Sequence, residues 1–244
     1  LYEGRLAGSA GLVAASPARV NLQATLDGVA LGPLLKDFIG SDTVHGRGSV
    51  ALDVNTAGAT VTSMKKQLGG SVRLEVKDGS LKGINIAQAL RGAKAAVAVA
   101  RGKGDSSALS RVAAKGEATD FSALTASFRI AGGVAHNDDL AAKSPLLRLA
   151  GNGDIDLAAS RLDYTVRATV VESLEGQGGA ELQALRGQTV PVKLSGPLDA
   201  IQWRIDFAEM AKEAARGQLE QKREALREDA KRRLGDKLRD LLKK

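Results

Sequence analysis

A chain of 244 residues that is 43% apolar and 26% charged is long enough for one large or two small folded units with a real core. Only 3% of its residues are aromatic, so that core is built from Ala, Val, Leu and Ile, and the absence of cysteine excludes disulfides and thiolate metal sites. A formal charge of +7 brings nucleic acid and anionic membrane into consideration, whereas no apolar run reaches the ~18–20 residues that span a bilayer.

The chain opens on Leu1 rather than Met, inside a stretch that reads as a strand. A fragment of something longer is therefore expected, and a missing leader or anchor carries no weight. From there the dominant signal is alternation of apolar and polar residues, the period of a half-buried strand. Val20, Leu22, Ala24 and Leu26 alternate with Asn21, Gln23, Thr25 and Asp27. Val50, Leu52 and Val54 extend a strand from near Val44, and Val72, Leu74 and Val76 lead to a turn expected at Asp78-Gly79. Leu124, Ala126, Phe128 and Ile130 run into Gly132-Gly133, and His136–Asp139 reads as a turn.

Further on, Leu147, Leu149, Ile155 and Leu157 share one parity. Leu162, Tyr164, Val166, Ala168 and Val170 share another, so the gap at Ala158–Arg161 predicts a hairpin of long strands. Val190, Val192 and Leu194 are expected to pair with Ile201, Trp203 and Ile205. The pattern predicts eight or more strands, mostly antiparallel, each with one apolar face. Short helices are expected over Leu31–Ile39, Thr60–Leu68 and Ile84–Val99, with a weaker pattern over Ser106–Ala114, and residues 172–188 read as a glycine-rich loop.

The segment from Phe207 to Lys244 differs in kind: of its 38 residues, 12 are basic and 8 acidic, and none is proline. Acids precede bases by three residues again and again (Glu209–Lys212, Glu213–Arg216, Glu220–Arg223, Glu224–Arg227), a spacing that makes them neighbours on a helix surface. Leu219, Leu226, Leu234, Leu238, Leu241 and Leu242 form a narrow apolar stripe. A long solvated helix is expected, packing that stripe against protein. A membrane-surface helix would want a wider apolar face and a mostly basic polar one.

Chemistry-bearing motifs are missing. His45 and His136 stand far apart with no metal-ligand spacing. Asn152, Asp154 and Asp156 resemble the start of a calcium loop, but Leu157 replaces the required glycine, and their alternation with apolar residues reads as the wet face of a strand. Gly102 and Gly104 belong to no phosphate loop, and no G-x-S-x-G elbow is present. The expectation is a protein without catalytic residues, metal or cofactor. The tail's bases are interleaved with acids and lack aromatics for stacking, so nucleic acid is not expected as a partner.

Gly79-Ser80-Leu81-Lys82-Gly83-Ile84-Asn85-Ile86 resembles a signature block of the C-terminal region of the AsmA family. Four more blocks agree in order: Leu1–Gly8, Val44–Gly58, Leu147–Tyr164 and Val190–Pro197. The resemblance spans residues 1–206, leaving 207–244 as a separate charged helix. It implies an α+β, mostly β fold: a long twisted, mainly antiparallel sheet forming an open groove, with short helices and a long C-terminal helix. It also implies a protein of the Gram-negative envelope, periplasmic and held in the inner membrane by an N-terminal segment. Such proteins are linked to outer-membrane biogenesis and are similar to bridge-like carriers that pass phospholipid along a β-groove.

An apolar face needs a cover, which helices, a second sheet or lipid can supply. At ~0.8 kcal/mol per buried CH₂, a ~16-carbon acyl chain gains on the order of 10 kcal/mol. The expected groove residues are Leu147, Leu149, Ile155, Leu157, Leu162, Tyr164 and Val166, and lipid transfer by apolar contact needs no covalent step. Gly79, Ser80, Gly83 and Asn85 are expected to be structural, closing a strand and opening a helix capped by Asn85. The alternative is an interaction module that assists outer-membrane protein assembly, with a closed core and no lipid. The C-terminal helix is then one surface for an envelope protein partner.

Overall fold

A computed structural model describes residues 1–83, 118–145, 147–171, 187 and 189–206, together with 208, 209, 212, 222, 223, 226 and 227. Period-2 alternation becomes ten strands: β1 (Arg5–Val13), β2 (Arg19–Ala30), β3 (Val44–Ala57), β4 (Gly69–Leu81), β5 (Thr119–Ala131), β6 (Val134–Lys143), β7 (Leu147–Asp156), β8 (Arg161–Val170), β9 (Thr189–Pro197) and β10 (Gln202–Ile205). They form one sheet in which spatial order equals chain order. Each strand pairs antiparallel with its sequence neighbours, and among the described residues β1 and β10 are paired on one side only. The sheet is therefore open, as expected, and mostly β in content. The first four residues form a turn rather than the start of a strand.

Because the register is in phase, the apolar parities of the separate strands fall into rows that cross the sheet. One row runs Ala10–Leu22–Val54–Gly70–Ile130–Ala135–Ile155–Leu162–Gly196. The next runs Gly8–Ala24–Leu52–Val72–Phe128–Asn137–Gly153–Tyr164–Leu194–Trp203 and touches all ten strands. At ~4.8 Å per strand, such a row is roughly 43 Å long. The opposite face carries the polar parity, for example Ser9, Gln23, Asp53, Ser71 and Arg129 in one row.

Two expected turns are β-bulges instead. Asp78 and Gly79 lie inside β4, two residues opposite the single Gly46 of β3, with Asp78 at φ 48°. Asp138 and Asp139 lie inside β6, where the register slips against both β5 and β7. Asp-Gly and Asn-Asp-Asp are turn formers by local chemistry, but flanking strands on both sides hold the ladder through them. The real hairpin between β5 and β6 is at Gly132-Gly133, both at positive φ.

Helix α1 (Leu31–Ile39) follows β2 without a linker. Leu31 and Leu34 are buried at i and i+3, mainly against β3, and Gly40 ends the helix in the left-handed region with its N–H on the Lys36 carbonyl. Helix α2 (Val61–Lys66) is shorter than the expected Thr60–Leu68. Thr60 and Ser63 form a reciprocal capping box at its start, and Lys65 and Lys66 complement the dipole at its end. The helices expected over Ile84–Val99 and Ser106–Ala114, the loop 172–188 apart from Gly187, and Asn85 lie outside the described residues.

The chain divides into two compact units, Leu1–Ile205 and Asp206–Lys244. In the second, Ala208, Glu209, Lys212, Lys222, Arg223, Leu226 and Arg227 are helical, and the Glu209 N–H donates to Asp206 Oδ1 at 3.0 Å. The rest of the expected long helix, with most of its leucine stripe, lies outside the described residues.

Candidate functional site

The apolar face changes character along the sheet. In β1 it is open, with Leu6 56% exposed and Leu12 72%; in β2 Leu22 is 36% exposed, whereas Ala24 and Leu26, nearer α1, are 8% and 5% exposed. Leu52, Val54, Val72 and Leu74 in β3 and β4 are half-buried. From β5 to β9 the same face is covered, with Leu147 at 2% and Val190 at 1%. One apolar lane is thus open over β1 and partly open toward the α2 end of β2–β4, and closed over Ala24, Leu26, Val50 and Val76 and along β5–β9.

The expected groove residues fall mostly in the closed section. Leu147, Leu149, Tyr164 and Val166 are buried, and Ile155 and Leu162 are half-buried at the far end of β7 and β8. Leu157 leaves the strand for the hairpin turn, where its N–H donates to the Gly133 carbonyl at 2.9 Å. The exposed part of the lane lies instead on Leu6, Leu12 and Leu22, whose alternation is visible in the sequence but whose exposure is not.

Tyr164 is not a plain lining residue. Its ring lies across β7: a Cβ on Gly151 would stand 2.7 Å from Tyr164 Cε1, and one on Gly153 2.8 Å from Cδ2. The hydroxyl donates to Asn137 Oδ1 on β6, two strands away. Asn137, only 1% exposed, donates in turn to the Ser127 carbonyl at 2.8 Å and to Asp139 Oδ1 at 2.6 Å. It also accepts from the Leu140 N–H at 3.3 Å. Asp139 accepts from both the Ser127 N–H and its hydroxyl, filling the gap the bulge opens in the ladder. The buried amide thereby has partners for both its donor and its acceptor ends, which is what its position demands.

The Ser127 hydroxyl, followed by the Ser127 N–H, holds the Asp139 carboxyl below the usual carboxylate range. Burial, with Asp139's charge nearby, pushes the Tyr164 hydroxyl up. Asp139 is therefore expected to add stability that is present above its unfolded pKa of about 3.9 and is lost as pH falls through its lower folded value. Urea midpoints measured from pH 5 to pH 2 should fall less steeply in Asp139→Asn than in the parent chain. In the same assay Asn137→Ala should cost about 2–4 kcal/mol and Tyr164→Phe about 1–2 kcal/mol. Equal pH slopes, or a neutral Asn137→Ala, would show that the network holds nothing.

At the opposite end of the strands, the motif residues of the first three blocks gather around α1. Tyr2 donates its hydroxyl to Asp37 Oδ2 at 2.7 Å, Glu3 pairs with Arg47, and Lys82 Nζ lies 2.7 Å from Asp42 Oδ2. Gly79 is backed by the Phe121 ring, 2.6 Å from where a Cβ would stand, and Gly83 follows the strand at φ 78°. Ser80 sits opposite His45 and Asp120 in the ladder. The ring of His45 is wedged against Gly32, and its buried Nε2 has no hydrogen-bond partner among the described residues. His136 lies 2.7 Å by Nδ1 from Asp154 Oδ1 on the wet face. Among the described residues no group of three or more metal-ligating side chains converges. Asn152 accepts from Arg167 at 2.5 Å and Asp156 from the Ala159 N–H at 2.7 Å, so the calcium-like triplet serves the strands. The polar face over β1–β5 holds a shallow depression of about 490 Å³, floored by Ser9, Gln23, Asp53, Ser71 and Arg73.

The AsmA family model matches residues 1–140, which carry β1 to β5 and most of β6. The chain belongs to the AsmA family. It is 25% identical over 218 residues to Protein AsmA of Escherichia coli strain K12, an alignment covering 89% of this chain and 32% of that protein. This AsmA-family chain therefore spans about a third of the length of the curated relative it matches. No solved structure matches it. Among the described residues no helix is long and apolar enough to cross a membrane.

Proposed function

We propose that this chain is a non-enzymatic section of a periplasmic, inner-membrane-anchored envelope-biogenesis protein that carries phospholipid by its acyl chains along the apolar lane. The observation that supports the reading is the in-phase apolar face that runs across the sheet and is left exposed at Leu6, Leu12 and Leu22 of β1 and β2. Exposed Leu6, Leu12 and Leu22 are costly to leave in water, and an acyl chain laid over them gains ~0.8 kcal/mol per buried CH₂. Small aliphatic residues keep the floor low, and transfer is sliding over apolar contacts with no bond made or broken. In the family setting that cargo moves between inner and outer membranes.

A second reading has its own support. The covered face of β5–β9 is what a closed core looks like, and an interaction module for outer-membrane protein assembly needs no lipid. Mass spectrometry of the purified chain separates the two. The lipid reading expects phospholipid in near-stoichiometric amount after extraction; a lipid-free protein that still folds cooperatively would leave the interaction module standing.

A further inference from the structure

The turn ahead of β1 has the geometry of a hairpin. The Gly4 N–H donates to the Leu1 carbonyl at 2.9 Å, and the Leu1 nitrogen donates to the Gly4 carbonyl at 2.9 Å. Such a reciprocal pair closes a two-residue β-hairpin. Between the two, Tyr2 and Glu3 both lie in the left-handed region, at φ 49° and 65°, the combination that marks a type I′ turn. Neither is Gly, Asn or Asp, so the conformation is costly and has to be held. Three contacts hold it: the Tyr2 hydroxyl on Asp37, the Glu3–Arg47 ion pair, and the Ala30 N–H on the Tyr2 carbonyl. The strand that leaves the turn has an unguarded side. All nine positions of β1 are exposed, its register with β2 runs from Arg5 to Val13 without a slip, it holds no proline, and its one charge, Arg5, stands at its start. Edges that face water are kept short, charged, bulged or broken by proline. Strand β10, four residues with Arg204 among them, fits that rule, and β1 does not. Backbone directions alternate along a strand, so the N–H and C=O groups of Leu6, Gly8, Ala10 and Leu12 point to the same side as those of Gly4, away from β2. The Gly58 N–H on the Ala18 carbonyl gives the same phase independently. It turns the even residues of β2 toward β3 and the odd ones toward β1, which leaves the even residues of β1 facing outward.

We infer that β1 is the second arm of a hairpin whose first arm is the chain segment immediately before Leu1, and that the sheet and its apolar lane run on through that segment. The closing pair fixes the register: the second residue before Leu1 stands opposite Leu6 and the third opposite Ala7. The second, fourth, sixth and eighth residues before Leu1 then share the face of Leu6, Gly8, Ala10 and Leu12 and continue the apolar parity. The relative in Escherichia coli has about two-thirds of its length outside the alignment, ample chain for such an arm. The inference does not depend on the lipid reading, since an interaction module would continue its sheet in the same way.

The test uses the protein carrying its own sequence before Leu1, at least the nine residues needed to match β1. Ala7 and the third residue before Leu1 form a non-hydrogen-bonded cross-strand pair, the close kind that a disulfide can bridge. With cysteine at both positions, mild oxidation should give a disulfide, read as one cross-linked peptide by mass spectrometry. Cysteine at Ala7 and at the second residue before Leu1, which points to the opposite face, should stay reduced. Hydrogen exchange gives a reading that needs no substitution. The amides of Leu6, Gly8, Ala10 and Leu12 should exchange freely in the 244-residue chain and slow by about 100-fold or more in the longer one, whereas those of Ala7, Ser9 and Gly11 should be protected in both. Equal oxidation of the two cysteine pairs, no disulfide in the first, or outward amides that exchange as fast in the longer chain would overturn the hairpin.

Discussion

Gly151→Ala is expected to destabilise the chain by about 2–3 kcal/mol, and Tyr164→Leu in the same molecule should remove most of that added cost. The new methyl would stand 2.7 Å from Tyr164 Cε1 and 3.1 Å from Leu140 Cδ2, both side-chain atoms. Shortening the ring vacates the space, so the double-mutant cycle should show a coupling of about 1–2 kcal/mol. Gly153 offers the contrast. Its methyl would meet the Asp163 carbonyl oxygen at 2.4 Å and Tyr164 Cα at 2.6 Å, at φ 151°. Backbone on a neighbouring strand cannot step aside, so Gly153→Ala should cost about 3 kcal/mol or more whatever occupies position 164. Urea unfolding of the parent chain, of Gly151→Ala, Gly153→Ala and Tyr164→Leu, and of each glycine variant combined with Tyr164→Leu decides the matter. A Gly151→Ala cost that Tyr164→Leu leaves unchanged would mean the ring does not lie where the glycines make room for it.

The second large effect separates the two sections of the lane. Leu149 and Val166 are 4% and 7% exposed, so Leu149→Asp or Val166→Asp puts an unpaired charge into a covered interior. Each should cost about 4 kcal/mol or more and leave little folded protein by circular dichroism. Leu6→Asp and Leu12→Asp sit in the open section and should change stability by no more than about 0.5 kcal/mol. If lipid rides there, those same variants lose it. A folded Leu149→Asp chain that merely binds less lipid would show that the groove is open along its whole length.

Most of the sheet was legible because it is built from period-2 strands joined by short turns, and alternation survives without knowledge of the partner. The pairing of Leu194 with Trp203 and of Val192 with Ile205 follows from the hairpin alone. The bulges were not legible: Asp78-Gly79 and His136–Asp139 carry turn chemistry, and the flanking ladder overrides it. A signal was present. Ala135 and Leu140, Ala142 sit on opposite parities, and a parity slip between apolar positions marks an extra residue rather than a chain reversal. The amide hub is hidden for the same reason, since Asn137 lies within that turn-forming run. The site was half legible. Register placed Leu149 and Val166 on the apolar face, but exposure depends on what covers that face, which no single strand encodes.

Since every strand touches its chain neighbours and the meander never crosses over, the sheet behaves as a one-dimensional stack of coupled hairpins. Stability in such a stack is close to a sum of local and nearest-neighbour contributions, and folding can start at any well-paired hairpin and spread outward. Loop closures are short along most of the ladder, which favours fast zipping over a slow search for distant partners. The same linearity makes length an easily inherited variable: a hairpin added or lost at either end changes the reach of the apolar row by roughly 10 Å and leaves the remaining pairings untouched.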